Sequence, residues 1–253
     1  MSKYPVTEKT EITRLPKRGD YDAETIHQIL DEALYCTVAF VNEGQAYQIP
    51  TGFCRIGEKV YIHGSVGSHY MRILAASKTP VCLCATLMDG LVLARSAFHH
   101  SVNYRSVVLF SSLEQVNDKD ELYTVLETFT EKMCPGRWAD VRKPTDNEWK
   151  QTMVLAFKIE EVSAKVRTGP PKDDEEDYGL DIWAGVQPLT TVRGAVISDP
   201  ALKPGVGIPT RRWLASFGIR FSPVQITVTM CAPEPTVGRS NSFLKGLVFC
   251  CIR

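Results

Sequence analysis

The sequence predicts a mainly β protein, an antiparallel barrel with helices attached to it. Roughly six or seven β-rich stretches are separated by tight polar turns, and two or three other segments carry an apolar stripe at helical spacing. Strands and helices do not alternate regularly, which argues against a doubly wound nucleotide fold.

The opening 22 residues mix charge with Pro16 and Gly19 and read as an N-terminal arm. Asp20 to Asp22 then offers a cap, and Ala23, Ile26, Ile29, Leu30, Ala33 and Leu34 recur at the spacing of one helical face. The stretch CTVAFVNEGQAYQIPTGFCRIGEKVYIHGS holds three β-rich runs, broken at Asn42-Glu43-Gly44 and at Ile56-Gly57-Glu58. Such punctuation marks a meander of antiparallel strands. Residues 68–77 read as a short helix that Pro80 brings to an end. Strands are expected at 80–87, 90–96 and 104–116, with His99 and His100 in a loop between the last two. Leu122, Val125, Leu126, Phe129 and Met133 restore helical periodicity, and 153–165 supplies a last strand.

Beyond Arg167, Thr168-Gly169-Pro170-Pro171 runs into Lys172-Asp173-Asp174-Glu175-Glu176-Asp177, the composition of an exposed connector. One more short strand is expected within 182–189. The organisation is therefore an arm (1–22), a barrel domain (23–168), an acidic connector with a WAGVQPL arm (169–215) and a C-terminal tail (216–253). That tail carries Arg220, Arg239, Lys245 and Arg253 against the single acid Glu234.

Lys plus Arg and Asp plus Glu both number 29 in 253 residues, so no net basic charge points to nucleic acid. No apolar run approaches the ~18 residues of a spanning helix, so no membrane partner is expected. The polar N-terminus lacks the apolar core of a secretory signal, which places the chain in the cytoplasm. The eight cysteines form no CxxC pair, and buried free thiols in a reducing compartment are the expectation, with Cys82 and Cys84 as core residues. Adjacent His99 and His100 point in different directions, so no metal site is assigned.

Chemistry concentrates in two stretches. The first, Tyr61-Ile62-His63-Gly64-Ser65-Val66-Gly67-Ser68-His69-Tyr70-Met71-Arg72, is a strand that turns through Gly and Ser into a helix. Its backbone N–H groups and hydroxyls suit a phosphate, although such turns also serve merely as turns. It lacks the GxxxxGK[ST] pattern of triphosphate hydrolysis. The second stretch is DGLVLARSAFHHSVNYRSVV, from Asp89.

Together with Gln48-Ile49-Pro50-Thr51-Gly52-Phe53, these stretches resemble the pyridoxamine 5'-phosphate oxidase-like flavoproteins, in the branch of the nitroimidazole-reductase (Nim-type) proteins. The likeness runs from about Arg14 to Thr168. It implies a split β-barrel binding FMN at a homodimer interface, with Pro50, Thr51 and Gly52 along the flavin ring. Ser65, Ser68, His69 and Arg72 match the phosphate turn, and Tyr104, Arg105 and Ser106 the later flavin-side strand. His63 matches the histidine near the flavin, the candidate catalytic residue.

The activity so implied is reduction of a small nitro-aromatic or quinone-like compound with NAD(P)H as donor. The alternative is a flavin- or haem-binding module or redox sensor without turnover. The substrate signature of the true pyridoxamine phosphate oxidases is not evident. Duller readings stay open residue by residue: His63 satisfying a carbonyl, Tyr104 and Arg105 forming a stack or an ion pair, Arg95 a solvated charge.

Overall fold

The computed structural model describes residues 2–77 and 80–208, so the tail at 216–253 and Trp213 lie outside the described residues. A short 3-10 turn, Pro16–Arg18, leads into β1 (Gly19–Asp20) and α1 (Ala23–Glu32). A meander follows: β2 (Tyr35–Asn42), β3 (Gln45–Ile56) and β4 (Lys59–Ser65). Then come α2 (His69–Ala76), β5 (Val81–Leu93), β6 (Ser101–Ser111) and β7 (Leu113–Gln115). Helices α3 (Lys119–Met133), α4 (Arg137–Asp140) and α5 (Asp146–Lys150) precede β8 (Thr152–Lys158), β9 (Glu161–Arg167) and β10 (Gly185–Pro188).

The strands form one antiparallel path, β1-β9-β6-β5-β2-β3-β4-β8-β7, with β10 added to β5. Long β3 serves both halves of this split barrel: Gln45 to Gly52 pair with β2, and Phe53 to Ile56 with β4. Helix α1 plugs the interior. Its Ile26, Ile29 and Leu30 bury completely or nearly so among Val38, Phe53, Ile62, Leu83, Leu109 and Leu155. Each such side chain contributes roughly 1.5–3 kcal/mol on removal from water. Helix α3 is capped by Asp118, whose carboxylate accepts from Glu121 N at 2.8 Å. It covers the opposite face of the second half, where Val125 packs with Cys54, Tyr61, Val154 and Ala156.

Three sequence expectations need correction. The strands expected at 80–87 and 90–96 are one strand, β5, because Asp89-Gly90 makes a bulge between Met88 and Gly90 rather than a turn. The last strand, expected at 153–165, is two strands that part to different neighbours, β8 pairing with β4 and β7 and β9 with β6 and β1. Cys82 and Cys84 are half-buried on the outward side of β5, since Val81, Leu83 and Ala85 take the core positions.

The connector is also less exposed than its composition implies. Asp173 has a side chain with 0% accessibility, accepting from Arg95 N at 2.9 Å and pairing with the Arg95 guanidinium at 3.1 Å. Arg95 in turn lies 5.0 Å from the centre of the Tyr178 ring, so it is an anchor and not a solvated charge. Beyond it, Gly185 to Pro188 pair with Leu93 to Gly90, so the arm contributes a strand to the sheet. No helix among the described residues is long and apolar enough to cross a membrane.

Candidate functional site

The turn after β4 is tight because Ser68 N bonds Ser65 O at 2.9 Å and Gly67 N bonds Ser65 Oγ at 3.1 Å. Ser68 then occupies the N-cap of α2, yet its side chain makes no capping hydrogen bond. The first intrahelical bond is Arg72 N to Ser68 O, so the amides of His69, Tyr70 and Met71 have no partner within the helix. His69 and Arg72 are exposed and make no side-chain bond among the described residues. They line a shallow cavity of about 420 Å³ with Val41, Asn42, Ile73, Ala76 and Ser77. Ser68, His69 and Arg72 thus present unengaged polar groups at the positive end of a helix dipole.

Pro50, Tyr104 and Ser106 share the outward face of the sheet, and Gly52, on the same face of β3, is covered by the Phe129 ring of α3. Register carries this: Pro50 lies opposite Thr37, Thr37 opposite Cys84, Cys84 opposite Val108, and Ser106 and Tyr104 follow at two-residue steps. Thr51, opposite the buried Cys36, faces the other way. The face they form also carries Ala39, Cys82 and Thr86, small groups suited to a flat ligand or to a second sheet.

Arg105 belongs elsewhere in the architecture. Its Nε and Nη2 donate to Asp89 at 2.9 and 2.8 Å, and Nη1 and Nη2 donate to Glu32 at 2.5 and 2.9 Å. It therefore fastens the end of α1 to the β5 bulge, which is the ion-pair alternative the sequence left open.

His63, on β4, faces α3, and its ring meets the edge of Phe129 at 4.4 Å between centres and 80° between planes. Burial lowers its pKa, so the imidazole is neutral at pH 7. No hydrogen bond engages the ring among the described residues. Nearby Lys132 bonds Leu30 O at 2.8 Å and sits 3.7 Å over the Phe53 ring. Desolvation brings the lysine down to about 8. Burial pushes the neighbouring Cys36 and Cys54 thiols up to about 12.

Among the described residues, the cavity beside α2 takes in His69 and Arg72 and none of the other sequence-predicted site residues. Two groupings escaped sequence reasoning because their members are far apart in the chain. His99, Asp174 and Asp177 bring ligand atoms within 4.8 Å of one another, as exposed acidic groups commonly do. A basic cavity lies between the N-terminal arm and the start of β6.

The pyridoxamine 5'-phosphate oxidase family profile matches residues 22–166, more than half of the chain. This chain belongs to the pyridoxamine 5'-phosphate oxidase family. Among solved structures it is similar to the flavocytochrome Anf3 of Azotobacter vinelandii at 36% identity and TM-score 0.77, covering 83% of this chain and 97% of that one. It is equally similar in sequence, at 36%, to the FAD and haem binding protein of Mycobacterium smegmatis, with TM-score 0.74 and coverage of 79% and 97%. A Bacteroides thetaiotaomicron protein assigned to 5-nitroimidazole antibiotic resistance aligns at 19% identity and TM-score 0.50, over 58% of this chain and 86% of that one. At that identity it shows the family's split-barrel fold alone. No curated protein matches the chain.

Proposed function

We propose that the protein is a flavin-dependent redox protein of the pyridoxamine 5'-phosphate oxidase family. In this reading the flavin phosphate rests on the turn from Ser65 to Arg72, and the ring lies along Pro50, Thr51 and Gly52 with Tyr104 and Ser106. A second copy of the chain completes the site. The observation that carries the reading is the uncapped start of α2, where Ser68, His69 and Arg72 are all unengaged. Unpaired amides at a helix N-terminus favour a phosphate by dipole and by hydrogen bonding together.

A bound flavin supplies hydride chemistry at its ring, with NADH or NADPH as donor and a small nitro-aromatic or quinone-like acceptor. The chain's own residues hold the phosphate, exclude water and handle the proton. His63, kept neutral by burial, accepts or returns a proton at a ring nitrogen, while Phe129 shields it from solvent. The family likeness in sequence points to FMN, whereas the two relatives at 36% identity are a flavocytochrome and an FAD and haem binding protein, which weighs toward the dinucleotide. The reaction belongs to the cytoplasm.

The same two relatives favour a second reading, in which flavin and haem are carried together and electrons pass between them without an organic substrate. His69 offers an exposed, unengaged imidazole for a haem iron, with Arg72 beside it for a carboxylate.

Absorption spectroscopy of the purified protein tests both. A flavin spectrum bleached anaerobically by a reduced nicotinamide and restored by a nitro-aromatic or quinone supports the reductase. A Soret band that disappears in His69→Ala supports the flavin-haem carrier. Protein that takes up FMN, FAD and haem in none of these trials overturns both readings.

A further inference from the structure

The basic cavity has no part in the site just described. Its volume is about 770 Å³, within the range of ligand pockets. Its walls include Arg14, Lys17, Arg18, Arg167 and Lys172, with no acidic side chain among them. None of the five cations has a carboxylate partner among the described residues. In a chain whose charges balance, such a concentration must be produced by the fold.

Arg167 is the decisive residue. It is 7% exposed, its Nη1 donates to Asn103 Oδ1, and its Nε is buried with no acceptor. A buried guanidinium without a counter-charge is costly unless something anionic answers it. Burial first, and then the nearby Arg18, lower its pKa, with Tyr104 acting more weakly in the opposite sense.

The surrounding segments are held in place around it. Lys165 Nζ bonds Arg14 O at 3.3 Å, and Asn103 Nδ2 bonds Gly169 O at 3.1 Å. Leu15 adopts φ 57°, a left-handed conformation that leucine rarely takes, immediately before the turn bearing Lys17 and Arg18. Phe98 stands at the cavity wall with 87% of its surface exposed, an uncovered aromatic face. Tyr104, on the predicted flavin-side strand, is directly opposite Arg167 across the β6–β9 ladder.

We propose that this cavity binds a nucleoside diphosphate, its pyrophosphate held by Arg18, Arg167 and Lys172 and its base stacked on Phe98. A single phosphate would leave most of five cations unanswered, and an apolar ligand all of them. The diphosphate has two sources to separate: a flavin dinucleotide, whose flavin phosphate would then sit in this cavity rather than on the turn from Ser65 to Arg72, or a free dinucleotide such as a nicotinamide cofactor. Only the first source rests on the flavin reading.

The test is calorimetric titration of the full-length protein with ADP, in low salt and in high salt. Expected is saturable, salt-sensitive binding that weakens about tenfold or more in Arg18→Gln/Lys172→Gln, both outside the core, and further in Arg167→Met. Adenosine should bind far more weakly than ADP, and Phe98→Ala should weaken ADP. Repeating the titration on protein saturated with FMN or with FAD separates the sources. ADP excluded by FAD but not by FMN assigns the cavity to the flavin's own adenylate, and ADP bound in both assigns it to a free nucleotide. Absence of ADP binding, or equal binding by the wild type and the Arg18→Gln/Lys172→Gln variant, overturns the proposal, whether or not the protein holds a flavin.

Discussion

Gly52 lies directly beneath Phe129: a Cβ at position 52 would come within 2.9 Å of both Cε2 and Cζ of that ring. The missing side chain lets α3 close onto β3 and brings Phe129 against His63. Gly52→Ala should push the ring away and cost roughly 1–3 kcal/mol, the usual penalty for overpacking. Thermal or urea unfolding reads the loss, and in a Phe129→Ala background the same Gly52→Ala change should cost little further. A Gly52→Ala protein as stable as the wild type would show that α3 shifts freely.

Arg105 is expected to matter first for stability. Hydrogen bonds from its guanidinium hold Glu32 below the ordinary carboxylate range. A depressed carboxylate pKa stabilises the fold above the unfolded value and loses that contribution as pH falls through the folded value. Arg105→Ala should therefore be less stable than the wild type at pH 7, and the gap should close on acidification. Urea melts at pH 7 and at successively lower pH measure this, the gap narrowing as Glu32 takes up its proton. Unchanged stability with lowered flavin content would return Arg105 to the cofactor site.

Lys132 reverses the sign. Its pKa falls to about 8 from 10.5 because burial disfavours the charged form, so between those values the unfolded chain binds more protons and stability rises with pH. The cost is fully present below pH 8. Lys132→Met should lose this pH-dependent gain, whatever it does to absolute stability through Leu30 and Phe53. Comparing unfolding free energies of the two proteins at pH 7 and pH 10 reads the lysine together with its pull on the Cys36 and Cys54 thiols, whose pKa values it lowers. A constant difference across that range would place the ammonium in contact with water.

The thiols should separate by reactivity. Cys36 and Cys54 are buried, with pKa values pushed up to about 12, whereas Cys82 and Cys84 are half-buried on the outward sheet face. In flavin-free protein, iodoacetamide at pH 7.5 should label the second pair, Cys82 slowed by the burial that also raises its pKa, and spare the first until denaturant is added. Peptide mass mapping gives the order, and early labelling of Cys54 would contradict the packing beneath α3.

The fold was largely legible because alternation and helical stripes report burial, and burial made the elements: α3, Lys119–Met133, takes in the whole stripe from Leu122 to Met133. The bulge at Asp89-Gly90 was misread because a Gly-containing dipeptide signals a turn unless a neighbouring strand continues past it, and that neighbour is invisible locally. The helices α4 and α5, of four and five residues, are too short to show a period. At the site, the Ser65-to-Ser68 turn could be read because its chemistry is contiguous. Arg105 could not be, since its partners Glu32 and Asp89 stand 73 and 16 residues away. The cationic cavity was hidden more thoroughly, its members drawn from residues 14–18, 98–101 and 166–172 of a chain with no net charge.

The pairing of β10 with β5 has a consequence for how the molecule is handled. Residues 185–188 occupy the flank of Gly90 to Leu93, and the glycine at 90 eases their approach, since a Cβ there would stand 3.1 Å from Gln187 O, tighter than ordinary contact. A protein cut back to its barrel, or nicked in the acidic stretch so that the arm departs, would bare that flank as an open ladder for another chain to join. Preparations shortened for crystallography are thus expected to self-associate, and the four-residue strand serves as a guard as much as a support.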